Sequence, residues 1–419
     1  MIKQAISGGE SGHREQAGEQ QPNNGESSSD TANIQHFAAL DEAERERLFH
    51  RFPETIDVDS TPELLSVAIG ATLYIPAIRD RLPELILRQG RNGSTSMVID
   101  LEDAIADHQV AAAMTNLVAA LDDLADQAAG VPLLFVRVRT AEQIDELLGR
   151  LDRGIGILAG FVLPKFTAVS GDGYLNRIDG AIADSGRMLY AMPIIESTEV
   201  LHLESRMQAL SSIRDLLGKH REKILAVRIG ATDMCGAFGI RRDPDLTIYD
   251  VQPVAEVIGA IVNVLGRTDG TGFTITGPVW EYYNTHDRMF RPLLRHTPFE
   301  QIDAVRFRTH LVSRDLDGLL RELVLDHANG LQGKTVIHPS HVNVVHAMSA
   351  VSHEEYVDAV AILGVDDSGG VEPSAYRNKM NERRPHRNWA DKTLVRAQAF
   401  GVLQPEIGVV DLLASVVEP

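Results

Sequence analysis

Cysteine is almost missing from this sequence: one residue, Cys235, serves a chain of 419. A lone thiol excludes an intramolecular disulfide and a cysteine-rich zinc site, so neither holds this fold together. Positive charge is scarce as well. Lys and Arg number 40 against 59 Asp and Glu, for a net charge of -19. Most of such a surface repels a nucleic-acid backbone, although a local basic patch can still take a phosphate. No apolar run reaches the roughly twenty residues that cross a bilayer. No secretory signal pattern opens the chain. The expectation is a cytoplasmic protein with no membrane and no nucleic-acid partner. A GxGxxG fingerprint follows no early strand, which counts against a dinucleotide fold, and no internal repeat is evident. What remains is 44% hydrophobic and 24% charged, the composition of a globular protein with a full-sized core.

The opening stretch, residues 1–35, is rich in Gly, Ser, Gln, Asn and Glu and nearly lacks large apolar side chains. It cannot offset the entropy of ordering and reads as a disordered tail. After a helical lead-in, "FAALDEAERERLF", short apolar runs alternate with longer amphipathic ones, the rhythm of a parallel sheet with crossover helices. The candidate strands "ATLYIPA", "SMVIDL", "PLLFVRV", "GFVLPK", "MLYAMPIIE", "ILAVRIG", "GFTITGP" and "KTVIHP" number eight. Eight such units close most naturally as a (β/α)8 TIM barrel, here over 36–350, with a doubly wound open sheet as the weaker option. Residues 351–419 read as a C-terminal helical arm or lid.

In such a barrel the chemistry sits on loops beyond the C-terminal ends of the strands. Those ends are strongly polar: Asp100, Glu102 and Asp103 after the second strand, Arg137 and Arg139 on the third, Lys165 after the fourth, Glu196 after the fifth and Asp233 after the sixth. A carboxylate such as Glu196 closing the apolar run "LYAMPIIES" is costly to bury unless something positive meets it. Two carboxylates from adjacent strands, with no Cys–His cluster, suit Mg2+ or Mn2+ better than zinc. The plainer alternative has Glu196 capping the next helix and Asp233 pairing with a local arginine.

The ordered series "LYIPA", "MVIDLEDAI", "VRVR", "GFVLPK", "PIIES", "IGATDM" and "GKTVIHPSHV" resembles the HpcH/HpaI aldolase and citrate lyase beta-subunit family. The tail "NKMNERRPHRNWA" is similar to its citrate-lyase-like branch found beside tellurite-resistance genes. The resemblance implies a (β/α)8 barrel, a divalent metal on Glu196 and Asp233, and Arg137 holding the substrate's carboxylate or carbonyl. It also implies a lyase that makes or breaks a carbon–carbon bond beside a carbonyl, through an enolate, and a homo-oligomer, trimer or hexamer. Glu102 and Asp103 would orient metal waters or Arg137, or Asp103 simply begins the next helix. Backbone amides at Gly230, Ala231 and Thr232 would add donors at the rim. Where relatives carry a tail aspartate that reaches a neighbouring subunit, this chain has Glu382, set among Arg377, Lys379, Arg383, Arg384, His386 and Arg387. Glu382 is the candidate acid–base group, and the cations are either a lid for anionic substrate or a solvated turn paired with acids.

Lys165 admits a Schiff-base reading, but pairing with an acid fits a metal site better. His338 reads as a histidine buried under the last strand's loop, and Cys235 as a small buried side chain. The implied substrate is a small carboxylated oxo- or hydroxy-acid or its CoA thioester. The rivals are a metal-dependent aldolase on a free or phosphorylated oxo-acid and a catalytically idle barrel that serves as an assembly partner. A thioester needs a groove for the CoA arm, whereas an aldolase needs only a closed pocket.

Overall fold

The computed structural model describes residues 34–127, 130–283, 316–364 and 370–417. The barrel strands are β1 (Ala71–Pro76), β2 (Ser96–Asp100), β3 (Leu133–Arg137), β4 (Leu158–Leu163), β5 (Tyr190–Ile195), β6 (Val227–Ile229), β7 (Ile275–Thr276) and β8 (Lys334–Val336). They lie side by side in chain order, all parallel, with β8 beside β1. A parallel bridge between Gly277, just past β7, and Lys334 closes the ring. This is the (β/α)8 barrel. The strands read as unbroken apolar runs because one face points into the barrel and the other lies under helices; β2, β4 and β5 are buried at every position.

The covering helices are α1 (Leu82–Arg91), α2 (Val110–Ala125), α3 (Glu142–Leu148), α4 (Ala168–Ser185), α5 (Leu203–Lys219), α6 (Gln252–Leu265), α7 (Asp317–Ala328) and α8 (Val342–Ser349). In α2 the buried stripe is Ala113, Met114, Leu117, Ala120, Leu121 and Leu124, the spacing that keeps one helical face against a sheet. α4 starts where Thr167 and Ser170 form a reciprocal capping box, which satisfies two otherwise orphaned amides. Among the described residues no helix is long and apolar enough to cross a membrane.

The N-terminal ends of the strands are closed by a floor. The helix Pro62–Ala68 enters β1 there, and Ile34, Ile56, Leu65, Ile69, Ala399 and Phe400 share one buried cluster with Val98, Phe135, Val162 and Met192 of the strands. Ile34, inside the segment expected as a tail over 1–35, is buried and bridges Ile56; residues 1–33 lie outside the described residues. After α9 (His353–Leu363), a short hairpin pairs Val371–Pro373 with Met380–Glu382 and leads into α10 (Arg383–Phe400). The chain then pairs Val402–Leu403 antiparallel with Phe49–Arg51, and α11 (Val409–Val417) packs on α8. Over 351–417 the expected arm is helical in α9, α10 and α11, interrupted by the hairpin, and the end of α10 contributes Ala399 and Phe400 to the floor.

Candidate functional site

Register builds the first half of the site. Asp100 and Arg137 are direct partners across the β2–β3 ladder, and their side chains meet in a two-point contact. Arg137 donates through Nε to Asp100 Oδ1 at 2.6 Å and through Nη2 to Oδ2 at 2.7 Å. The same carboxylate accepts the backbone N–H groups of Glu102 at 3.0 Å and Ala104 at 3.2 Å, so it also shapes the turn after β2. Arg137 Nη1 lies 3.0 Å from Glu102 and 3.2 Å from Asp103. Burial works against the guanidinium's charge, but these acids, Asp100 first, hold it firmly protonated. Arg139 wraps the same loop, donating to the carbonyls of Leu101 at 2.7 Å and Glu102 at 3.0 Å.

This changes the expectation for Arg137. Its planar fork is engaged by Asp100, and its remaining nitrogen, Nη1, faces Glu102 and Asp103. Asp100 is the positioning residue for Arg137, and Glu102 and Asp103 touch Arg137 rather than merely start a helix.

The second half centres on Glu196, whose side chain turns back over β4. Lys165 donates its backbone N–H to Glu196 Oε1 at 2.8 Å and its ammonium to Glu102. Lys165 adopts φ 48°, a left-handed conformation uncommon outside glycine and often found at functional sites. Its ammonium also lies 3.6 Å from Asp103 and 3.8 Å from Asp233. These acids hold it charged although partial burial opposes that. Pairing is the reading this geometry favours, on a half-exposed side chain.

Burial, with Asp233 and Glu102 nearby, pushes the Glu196 carboxyl up to about 7, against the opposing Lys165 N–H bond. Burial likewise pushes Glu102 upward. For Asp103 burial acts upward too, but the hydrogen bond with Glu102 and the Arg137 guanidinium outweigh it and hold the carboxyl below its usual range. The carboxylates Asp100, Glu102, Asp103, Glu196 and Asp233 outnumber the rim cations Arg137, Arg139 and Lys165, so the rim is rich in acids. Among the described residues no group of three or more His, Cys, Asp and Glu is arranged to hold a metal. The pair Glu196 and Asp233 instead suits a cation that keeps most of its waters, as Mg2+ does.

Gly230 matters differently from its expected part as an amide donor. Its N–H bonds the Ile195 carbonyl at 3.2 Å, and a Cβ there would fall 1.7 Å from Glu196 Oε2. Glycine is required because the carboxylate occupies that space. Ala231 and Thr232 open the helix Ala231–Ala237, where first-turn amides lack intrahelical partners; Asp233 is its third residue.

Glu382 is not brought to this rim. It ends the tail hairpin and stands exposed before α10, and α10 contacts the other end of its own barrel through Asn388 to Thr268 at 2.8 Å and through Phe400 beside Gly70. Several tail cations are already paired: Lys379 with Glu354 and Asp358, Arg383 with Glu372. His338 is half-buried rather than buried, stacked at 4.3 Å on Tyr283, and accepts the Ser340 N–H at 3.3 Å. Cys235 is free and buried. Of the loop after β7, residues 284–315 lie outside the described residues.

Sequence reading missed Tyr74 and Arg228. Arg228 is buried inside the barrel, donating to Thr335 at 2.8 Å and Thr72 at 3.3 Å. The Tyr74 ring lies between it and Arg137, at 5.5 and 5.3 Å from their guanidinium carbons. Burial raises the Tyr74 hydroxyl's pKa, which keeps it a donor. An arginine inside an apolar run, "ILAVRIG", was the available signal.

The chain matches a family described as carbon–carbon bond lyases of the TIM-barrel fold over residues 63–402. No curated protein matches it in sequence. Among solved structures it is similar to the CitE protein of Mycobacterium tuberculosis in complex with magnesium, acetoacetate and coenzyme A, at 20% identity and a TM-score of 0.48, over 79% of this chain and 99% of that one. The citrate lyase beta subunit of M. tuberculosis complexed with oxaloacetate and magnesium is 19% identical, with a TM-score of 0.40, over 67% of this chain and 96% of that one. The Haloferax volcanii malate synthase magnesium/glyoxylate complex is 16% identical, with a TM-score of 0.43, over 65% and 72%.

Proposed function

Because the chain belongs to the carbon–carbon bond lyases of the TIM-barrel fold, we propose that it makes or breaks a carbon–carbon bond beside a carbonyl, through an enolate, with Mg2+ held by Glu196 and Asp233. The substrate is a carboxylated oxo- or hydroxy-acid, or its CoA thioester. The observation that carries this reading is Glu196 itself, a buried carboxylate held by the Lys165 N–H at 2.8 Å, with the acids Glu102 and Asp233 nearby. A site so rich in acids is built for a cation. Bound there, Mg2+ supplies a Lewis acid for the negative charge that develops on the carbonyl oxygen.

The chain's own groups do the rest. Arg137, fixed by Asp100, receives the substrate carboxylate at Nη1, which otherwise faces Glu102 and Asp103. Lys165 keeps Glu102 and Glu196 apart and oriented. The thioester form is favoured by an open recess of about 740 Å³ beside the end of β1, where Arg79, Arg81, Arg88 and Arg91 outnumber Asp80 and Glu84, room and charge that suit a long anionic arm. The test measures Mg2+-dependent product formation from acetyl-CoA with a 2-oxo acid, in parallel with cleavage of free 4-hydroxy-2-oxo acids. Turnover of the thioester pair is expected. Turnover of the free acids alone would transfer the protein to the aldolase reading, and ligand binding without either reaction to an idle barrel.

Glu382, in this reading, serves the barrel mouth of a neighbouring subunit in a cytoplasmic homo-oligomer. Its own barrel presents only the floor to α10, while Tyr376 and Met380 on the same hairpin are exposed apolar surface. Glu382→Gln is expected to lose turnover about 100-fold, a usual size for a general acid–base group, and mixing it with Asp233→Asn protomers should restore part of it. Normal turnover by Glu382→Gln alone would reduce the tail to a clasp.

A further inference from the structure

Beyond β7 the chain passes Val279, Trp280 and Glu281 along the rim next to the helix that carries Asp233. Glu281 accepts the Thr232 hydroxyl at 3.0 Å. Thr232 is the second residue of that helix and Asp233 the third, and the helix, Ala231–Ala237, has seven residues and starts at Gly230 without a capping side chain. So short a helix does not hold its own first turn, and a carboxylate placed against its N-terminal end is also favoured by the positive end of the peptide dipoles.

Glu281 in turn meets a buried arginine. Its other oxygen lies 3.5 Å from Arg242, whose side chain is 2% exposed. Arg242 stacks 4.8 Å over the Trp280 ring, donates to the Val279 carbonyl at 3.0 Å and pairs with Glu322 of α7. Trp280 rests on α7 at Gly318, where a Cβ would come within 2.4 Å of the ring. The carboxylate that steadies Thr232 is therefore tied to the barrel wall rather than to a free loop.

We infer that Glu281 is a positioning residue for Asp233: paired with Arg242, it fixes the first turn of the Asp233 helix through the Thr232 hydroxyl and so sets where that ligand points. The inference rests on the reading that Asp233 holds a divalent ion. It is tested by Mn2+ binding to the full chain, followed through the resonance of free Mn2+. Thr232→Val removes the hydroxyl at constant shape and Glu281→Ala removes its acceptor; each is expected to weaken binding about tenfold, the lower end of what outer partners of metal ligands contribute. Thr232→Ser, which keeps the hydroxyl, should bind like the unaltered protein. The double variant should be no weaker than either single one, because both delete one link. Unchanged affinity in Thr232→Val, or effects that multiply in the double variant, overturns the positioning role alone. An unaltered protein that binds no Mn2+ overturns the metal reading and this inference with it.

Discussion

Glu196→Gln should do two opposite things: lower divalent-ion affinity by more than about 100-fold, given that outer partners alone contribute about 10–100-fold, and make the metal-free protein more stable at pH 8. The second effect follows from proton linkage. The Glu196 carboxyl is raised from 4.5 to about 7 in the fold, first by burial and then by Asp233 and Glu102. A raised folded-state pKa means the protonated form is the one the fold favours. Its contribution is fully present below pH 4.5 and disappears as the pH climbs through 7. At pH 8 the metal-free protein carries the ionised, buried group at a cost of roughly 3 kcal/mol; glutamine carries no charge and still accepts the Lys165 N–H. Melting curves at pH 8 should therefore place the metal-free variant above the unaltered protein, the gap closing toward pH 4.5. Adding Mg2+ should raise the melting temperature of the unaltered protein only, and its affinity should fall between pH 8 and pH 6 as the proton competes for Glu196. Equal Mg2+ affinity in the two proteins, or a variant less stable at pH 8, would sink the assignment.

Arg137→Lys is expected to cost more than a conservative change should. The Asp100 side chain is 2% exposed and takes both of its closest charged contacts from one guanidinium. A lysine places one point charge where two parallel donors and a third nitrogen now serve Asp100, Glu102 and Asp103. Arg137→Ala removes all of them and leaves a buried carboxylate unanswered, at about 3–5 kcal/mol; Arg137→Lys should recover less than half of that. Turnover should fall by 100-fold or more in both, because Nη1 is placed for substrate only while the inner edge is held. Denaturant unfolding and steady-state rates decide it. A lysine variant with normal turnover would show that Nη1 is not used.

Much of this architecture is legible in one dimension because it repeats. Short apolar runs, each ended by Gly, Pro or a charge, mark the strands, and the eight of them correspond one for one with β1 to β8, from six residues in β1 to two in β7. Glu196 and Asp233 stand out for a related reason, since a charge closing a buried run is anomalous. What stays hidden depends on register and on distant partners. That Asp100 grips Arg137 requires knowing that the two lie opposite each other across β2 and β3. The role of Gly230 requires knowing that Glu196 Oε2 lies over it. Glu281, Arg242 and Thr232 come from segments about 10–50 residues apart and reveal nothing until α7 seats Trp280. Of the two readings the tail offered, cation counting could not choose, because it does not show that Lys379 and Arg383 already face Glu354, Asp358 and Glu372.

The floor of the barrel has a consequence for how the protein is made. Phe49–Arg51 leaves the ribosome early but finds its strand partner only in Val402–Leu403, and Ile34, Ile56 and Leu65 share their cluster with Ala399 and Phe400. Contacts of such sequence separation form late and slow folding. A nascent chain halted near residue 380 would already contain all eight barrel strands, yet its lower opening would expose Val98, Phe135, Val162 and Met192 from below. Until Ala399 to Leu403 have been added, that apolar opening is a binding surface for other unfinished chains, so demand for a chaperone should be greatest while this segment is still missing.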